Sequence, residues 1–184
     1  MVDPRLDVEQ PIFYYELASP ASYLMAERIL SELPVAPEFA PVLWDPVLDP
    51  DRASIEAAAA ELGLQPVRWP DPWPPHARTA MLAATYAKRI GRAVAFSLAG
   101  FRQAFAGGRD LGDTDTVLIA AAACEMRPAA VLKALTMQSV ADALEQATAG
   151  ARASGVQTKP AIAVGERVFH GDGAIDQATE ALAR

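Results

Sequence analysis

The sequence predicts an α/β fold whose strands lie near the two ends of the chain and whose middle is helical. Short apolar runs typical of strands occur at 12–17, 38–44 and 160–169, whereas 51–153 has apolar residues at helical spacing, separated by Gly and Pro. A strand–helix–strand unit therefore precedes a helical block, and a strand–strand–helix unit follows it.

The first unit is the most informative stretch. Ile12 to Leu17 is apolar and aromatic apart from Glu16, which suits a central strand. Ser19 is a good N-cap and Pro20 a good first helical residue. The junction thus brings a hydroxyl to the positive end of a helix dipole, a place that favours anions. A second strand is predicted at Glu38 to Trp44, ended by the prolines that follow.

The middle of the chain reads as a series of short helices. A proline-dense, aromatic strap, PVRWPDPWPP at 66–75, follows the first of them. Such short helices with short joints are typical of a packed helical subdomain. The predicted helices are 51–62 capped by Asp51, 77–90, 93–105, one from Asp113 or Asp115 to 125, 128–137, and one capped by Ser139 that reaches 153.

The end of the chain returns to strands. An apolar strand at 160–164, a two-residue turn, a partner strand at 167–169, a glycine turn at 171–173 and a helix at 174–182 are predicted. Together the elements describe a thioredoxin-like fold with an inserted all-helical subdomain. We assign 8–48 and 155–184 to the core and 49–154 to the strap and insertion, and we expect 1–10 to be a loose arm.

Composition excludes several classes of function. A formal charge of −7 argues against nucleic acid, because phosphate binding needs a basic face. One Cys and two His give no disulfide pair and no evident metal site. No apolar run is long enough to span a membrane, and the start of the chain lacks the features of a signal peptide. We therefore expect a cytoplasmic protein without membrane or nucleic-acid partners.

Three stretches resemble a known family. FYYELASPASYLMAERI (13–29) resembles the start of the DsbA-like superfamily, in its 2-hydroxychromene-2-carboxylate isomerase and kappa-class glutathione transferase branch. GVQTKPAIAVGERVFHGDGAID (155–176) is similar to the closing block of that branch, and FRQAFAGGRDLGD (101–113) to its helical segment. The resemblance implies glutathione as thiol co-substrate, a small electrophilic or aromatic substrate, and a homodimer.

The resemblance also implies residue roles. Ser19 matches the serine that stabilises the glutathione thiolate, and Pro160 matches a cis-proline whose preceding residue, Lys159, offers backbone groups to the cysteinyl part. Gly171 and Asp172 match the turn that holds the γ-glutamyl end. A free thiol has a pKa of about 8.5, so a hydroxyl donor at a helix start would favour the reactive thiolate.

Sulfur is absent from the positions where dithiol enzymes carry C-P-x-C. The chain has Ser-Pro-Ala-Ser at 19–22, so dithiol–disulfide exchange is excluded on chemical grounds. A thiol-dependent isomerase or transferase is the leading hypothesis. The alternative is a non-catalytic binding protein that keeps the fold without the glutathione site.

Several residues keep two interpretations. Lys159 stands where Val is usual, as an anion-binding charge or as a solvated side chain. Asp172 precedes the position of the usual acid, Gly173, and either replaces it or marks a lost glutamyl site. The three tryptophans either line a substrate pocket with the strap or cover the edge of the core; they are Trp44, Trp69 and Trp73.

Overall fold

The computed structural model describes residues 9–183, so most of the predicted N-terminal arm lies outside the described residues. Eight helices and four strands occur within that range. In chain order they are β1 (Ile12–Tyr15), α1 (Pro20–Glu32), β2 (Glu38–Pro41), α2 (Arg52–Glu61), α3 (Arg78–Arg89), α4 (Ala93–Phe105), α5 (Thr114–Ala123), α6 (Pro128–Leu135), α7 (Gln138–Ala153), β3 (Ala161–Val164), β4 (Arg167–His170) and α8 (Ala174–Leu182). The predicted order of elements is confirmed.

The strands form one mixed sheet in the order β2-β1-β3-β4. β1 is parallel to β2 and antiparallel to β3, and β4 is antiparallel to β3. The strands from the two ends of the chain therefore meet at the centre of the sheet. The register pairs Ile12 with Ala163, Phe13 with Ile162 and Tyr14 with Ala161.

Two strands are shorter than the sequence predicts. β1 ends at Tyr15 instead of Leu17, because the chain turns at Glu16 to begin α1. β2 ends at Pro41 instead of Trp44. The Trp44–Asp45 backbone instead makes hydrogen bonds with side chains of the neighbouring strand ends.

Helix starts follow the predicted capping chemistry with one exception. The side chains of Ser19, Asp51 and Asp113 each accept hydrogen bonds from the first turn of their helices. Ser139 does not cap α7: that helix begins at Gln138, one residue earlier, and Met137 occupies the N-cap position without a side-chain bond. The earlier start places Ser139 in the first turn, where its carbonyl accepts from Arg89.

The central strand is buried on both faces. Phe13 and Tyr15 belong to the main core cluster, while Tyr14, on the opposite face, belongs to a smaller cluster that includes Ala151 of α7. The main cluster contains residues of the strands and of α1, together with residues of the helices between β2 and β3. The helices inserted between β2 and β3 therefore pack onto the sheet through a shared core.

The turn between β1 and α1 lies directly against the helical part. Gly100 of α4 permits this approach, since a Cβ there would lie 3.2 Å from both terminal methyl carbons of Leu17. The Leu17 N–H donates to the Met81 sulfur of α3 at 3.3 Å. The Ser97 hydroxyl of α4 is hydrogen-bonded to the buried hydroxyl of Tyr15 at 2.5 Å. Helices α3 and α4 thus fix the position of this turn.

Candidate functional site

The junction between β1 and α1 carries the first predicted site residue. The Ser19 N–H donates to the Glu16 carbonyl at 3.0 Å, which closes a tight turn. The Ser19 hydroxyl accepts from the Ser22 N–H at 3.2 Å, and Pro20 occupies the first helical position. The first turn of α1 contains no acidic residue, so no carboxylate on it offsets the positive end of the dipole. The junction therefore favours a small anion.

Two hydroxyl groups of this junction are buried. Ser19 is 1% exposed and Ser22 is 0% exposed. Ser19 accepts a hydrogen bond, whereas the Ser22 hydroxyl has no hydrogen-bond partner. Because both are covered by the protein's own atoms, a sulfur atom reaches them only when the covering residues move.

Pro160 lies beside this junction. β3 begins immediately after it, and continuing the β1–β3 register by one step places Pro160 opposite Tyr15. The peptide bond between Lys159 and Pro160 is cis. The sheet therefore brings Pro160 to the end of β1 from which the chain turns to Ser19, so these two predicted residues lie at the same edge of the sheet.

A buried ion pair joins the two strand ends one step further along the register. The Lys159 ammonium contacts Glu16 Oε2, and the two side chains are 4% and 3% exposed. Lys159 Nζ also donates to the Asp45 carbonyl at 2.5 Å. The interpretation of Lys159 as a solvated side chain is therefore wrong. Its charge is compensated within the protein, because the antiparallel pairing of β1 and β3 sets it against Glu16.

Glu16 is the residue that the sequence interpretation missed. Burial raises the pKa of its carboxyl, while Lys159 and the Trp44 backbone N–H act against that rise. Because the net shift of the Glu16 pKa is upward, the effect of burial exceeds the opposing effect of the Lys159 ammonium. A single acid within an apolar strand and a lone lysine before another strand were the available signals, but only the sheet register pairs them.

The predicted glycine turn lies against a different part of α1. Gly171 has a φ of +74°, a backbone conformation that glycine adopts without strain. Asp172 lines a polar cavity of about 450 Å³ together with Arg28 and Glu32 of α1 and residues of α2. Ser19 and Pro160 are not among the lining residues of this cavity. The structure thus places Ser19, Lys159 and Pro160 at the same end of the β1–β3 pair and Asp172 beside a separate cavity.

Two of the three tryptophans line a second cavity. Trp44 and Trp73 border a space of about 470 Å³ with three of the strap's prolines, His76 and Arg78. Trp69 does not line it: its N–H donates to Glu56 at 2.7 Å and its ring meets Trp73 edge to face. The cavity lies near the junction, because Trp44, whose ring borders it, has its backbone beside the Glu16 carboxylate. Such an aromatic-walled space suits an apolar ligand.

Other chemistry has little support within residues 9–183. No group of three or more His, Cys, Asp or Glu residues in that range is arranged to hold a metal ion. Among the same residues, no helix combines the length and apolar character needed to cross a membrane. Cys124 is buried, and burial raises the pKa of its thiol, which makes it a poor nucleophile.

Comparison with known proteins agrees with the fold. The family model of the DSBA-like thioredoxin domain matches residues 12–183. No significant match is found among proteins of curated function.

Solved structures share the architecture over almost the whole chain. A 2-hydroxychromene-2-carboxylate isomerase superposes with a TM-score of 0.80 at 15% identity, covering 95% of this chain and 94% of its own. A probable DsbA oxidoreductase from Streptomyces coelicolor gives 0.78 at 19% identity, covering 95% and 88%. The cytosolic disulfide reductase DsbM from Pseudomonas aeruginosa, solved with GSH, gives 0.65 at 13% identity, covering 95% and 97%. At these identities the likeness establishes the fold, and the predicted thioredoxin-like class is confirmed.

Proposed function

Because the chain belongs to the DSBA-like thioredoxin domain family, we propose that it is an isomerase or transferase that uses glutathione or another small thiol, and that Ser19 stabilises the thiolate. The observation that carries the proposal is the junction itself. A hydroxyl stands at the N-terminus of α1 beside a cis-proline, where dithiol relatives would need sulfur. The scaffold for thiol chemistry is kept and the junction carries no cysteine of its own, so in this proposal the thiol arrives with a co-substrate.

The chemistry follows from the thiolate. The hydroxyl and the helix N-terminus stabilise the negative sulfur, and the thiol proton passes to solvent. In an isomerase reaction the sulfur adds to one carbon of a conjugated double bond, and the electron pair moves onto the conjugated acceptor. Rotation about the resulting single bond follows, the double bond re-forms, and the thiolate leaves unchanged. The thiol is thus a catalyst and is not consumed.

The neighbouring structures support this choice of thiol and reaction. The isomerase that superposes on this chain acts, by its name, on 2-hydroxychromene-2-carboxylate, and DsbM was solved with GSH. For this chain we propose the cavity beside Trp44 and Trp73 as the place of an apolar, electrophilic substrate. The homodimer implied by the resemblance and the cytoplasmic location expected from the sequence remain part of the proposal.

We expect Ser19→Ala to raise the pKa of bound glutathione by about one to two units, because a hydrogen bond to a charged group contributes about 1.5–3 kcal/mol. The measurement is the ultraviolet absorbance of the thiolate during a pH titration of the complex. Calorimetry with glutathione and with S-methylglutathione, which has no ionisable thiol, reports binding separately. Ser31→Ala is the matched control, since Ser31 lies exposed on the same helix. An unchanged thiol pKa in Ser19→Ala would remove Ser19 from the mechanism.

One observation favours a second candidate, a non-catalytic binding protein. The Glu16–Lys159 pair is buried at the junction, and Ser19 is 1% exposed, so the protein's own atoms cover the place expected for sulfur. In this candidate the fold is retained for binding through another surface. Failure of the wild-type protein to bind glutathione in the calorimetric experiment would favour it over the enzyme.

A further inference from the structure

The Ser22 hydroxyl lacks the hydrogen-bond partner that the other buried Ser and Thr hydroxyls in the described helices have. Ser22 is 0% exposed and its hydroxyl makes no hydrogen bond. The other buried Ser and Thr hydroxyls of the helices are bonded: Thr85 donates to the Met81 carbonyl at 2.8 Å, and Thr116 donates to Asp113 at 3.0 Å. Ser97 is equally buried and bonds both Tyr15 and the Ala93 carbonyl.

An unsatisfied buried hydroxyl weakens the folded state, so it calls for a physical explanation. A ligand that accepts a hydrogen bond from this hydroxyl would satisfy it, and the position of Ser22 indicates the kind of ligand. Its N–H is bonded to the Ser19 hydroxyl, so both side chains belong to the first turn of α1. This turn presents the positive end of the helix dipole and contains no acidic residue. A group that completes it should accept a hydrogen bond and carry negative charge.

We propose that Ser22 is a second catalytic residue, whose hydroxyl donates a hydrogen bond to the thiolate sulfur of the co-substrate. The inference rests on the proposed function and deepens it, because two serines rather than one would donate hydrogen bonds to the sulfur. Ser19 caps α1 with its oxygen lone pair and keeps its hydroxyl hydrogen available. The Ser22 hydroxyl makes no hydrogen bond within the protein. No proton is transferred from either serine, since each hydroxyl only donates a hydrogen bond to sulfur.

The proposal predicts opposite effects on stability and on binding. Ser22→Ala removes an unsatisfied buried hydroxyl, so the ligand-free variant should melt at the same temperature as wild type or higher. The same change removes a donor to a charged sulfur, so glutathione above its thiol pKa should bind about tenfold more weakly. The affinity for S-methylglutathione, which has no thiolate, should fall much less in the same variant. The measurements are thermal unfolding by circular dichroism, calorimetry with both peptides, and thiolate absorbance.

Ser97→Ala is the matched control. Ser97 is as buried as Ser22, but its removal leaves the Tyr15 hydroxyl without that partner. It should therefore lower the melting temperature and leave the pKa of bound glutathione unchanged.

Three outcomes separate the inference from the function on which it rests. If wild type binds glutathione and Ser22→Ala leaves its affinity and thiol pKa unchanged, Ser22 is not a donor and the inference fails alone. If Ser22→Ala lowers the melting temperature as much as Ser97→Ala, the hydroxyl has a partner in the folded protein and the inference also fails. If wild type binds neither peptide, the proposed function fails, and the inference, which rests on it, fails as well.

Discussion

Replacing Lys159 with methionine is expected to destabilise the protein by about 3–5 kcal/mol, because it leaves the Glu16 carboxylate buried without its counter-charge. The two side chains are 4% and 3% exposed, so water cannot take the place of the ammonium. The change also removes the bond from Lys159 to the Asp45 carbonyl, which ties the segment after β2 to the strand ends. The measurement is the free energy of unfolding from urea denaturation near neutral pH.

Two further variants identify the cause. Glu16→Gln combined with Lys159→Met removes both charges and should recover most of the lost stability. Lys88→Met breaks a pair of similar composition, Lys88 with Glu38, whose side chains are 37% and 44% exposed. It should cost no more than about 1 kcal/mol, because solvent screens exposed pairs. A double variant no more stable than Lys159→Met would show that the buried charge is not the source of the loss.

The pH dependence provides an independent check on Glu16. Burial raises the pKa of Glu16 in the folded protein above its unfolded value of about 4.3. The folded state then binds a proton that the unfolded state has released, so the contribution of Glu16 to stability falls as pH rises through that window. Lys159→Met removes the group that opposes this rise. The stability gap between wild type and Lys159→Met should therefore be widest at neutral pH and narrow as the pH falls to about 4.

Local sequence signals predicted the elements and the Ser19 cap because each depends on neighbours in the chain. Pro20 fixes the backbone at the first helical position, and Ser19 caps a turn only three residues away. The Glu16–Lys159 pair depends instead on the register of β1 against β3, strands from opposite ends of the chain. A residue pattern shows that each group is unusual in its own segment, whereas the contact itself requires the assembled sheet.

The lack of a partner for Ser22 was equally invisible in the sequence. Serine at the third helical position is compatible with an exposed, a capping or a carbonyl-bonded side chain. Only the packing around α1 shows that Ser22 is buried while its hydroxyl is unpaired. The sequence therefore located the candidate site at the start of α1, but not which of its hydroxyls is free.

Phe101→Ala is expected to cost about 3–5 kcal/mol, because it empties a buried aromatic position at the contact between the sheet and the helical insertion. Phe101 of α4 is 0% exposed. Its ring centroid lies 5.8 Å from that of Tyr15 on β1 and 6.2 Å from that of Tyr23 on α1. The cavity would lie under the first turns of α1 and weaken the support of the junction. Urea denaturation measures the loss, with Phe101→Leu expected to cost less because it keeps most of the volume.

The same variant tests the division of the chain into a core of 8–48 and 155–184 and an insertion of 49–154. Phe101 belongs to the insertion, and both of its aromatic neighbours belong to the core. If the two parts share one cooperative core, Phe101→Ala shifts a single transition, and fluorescence and far-ultraviolet circular dichroism report the same midpoint. Trp69 and Trp73 report on the strap, whereas dichroism reports on all helices. Separate midpoints would show that the insertion unfolds by itself, and Phe101 would then stabilise a contact between two units rather than one common core.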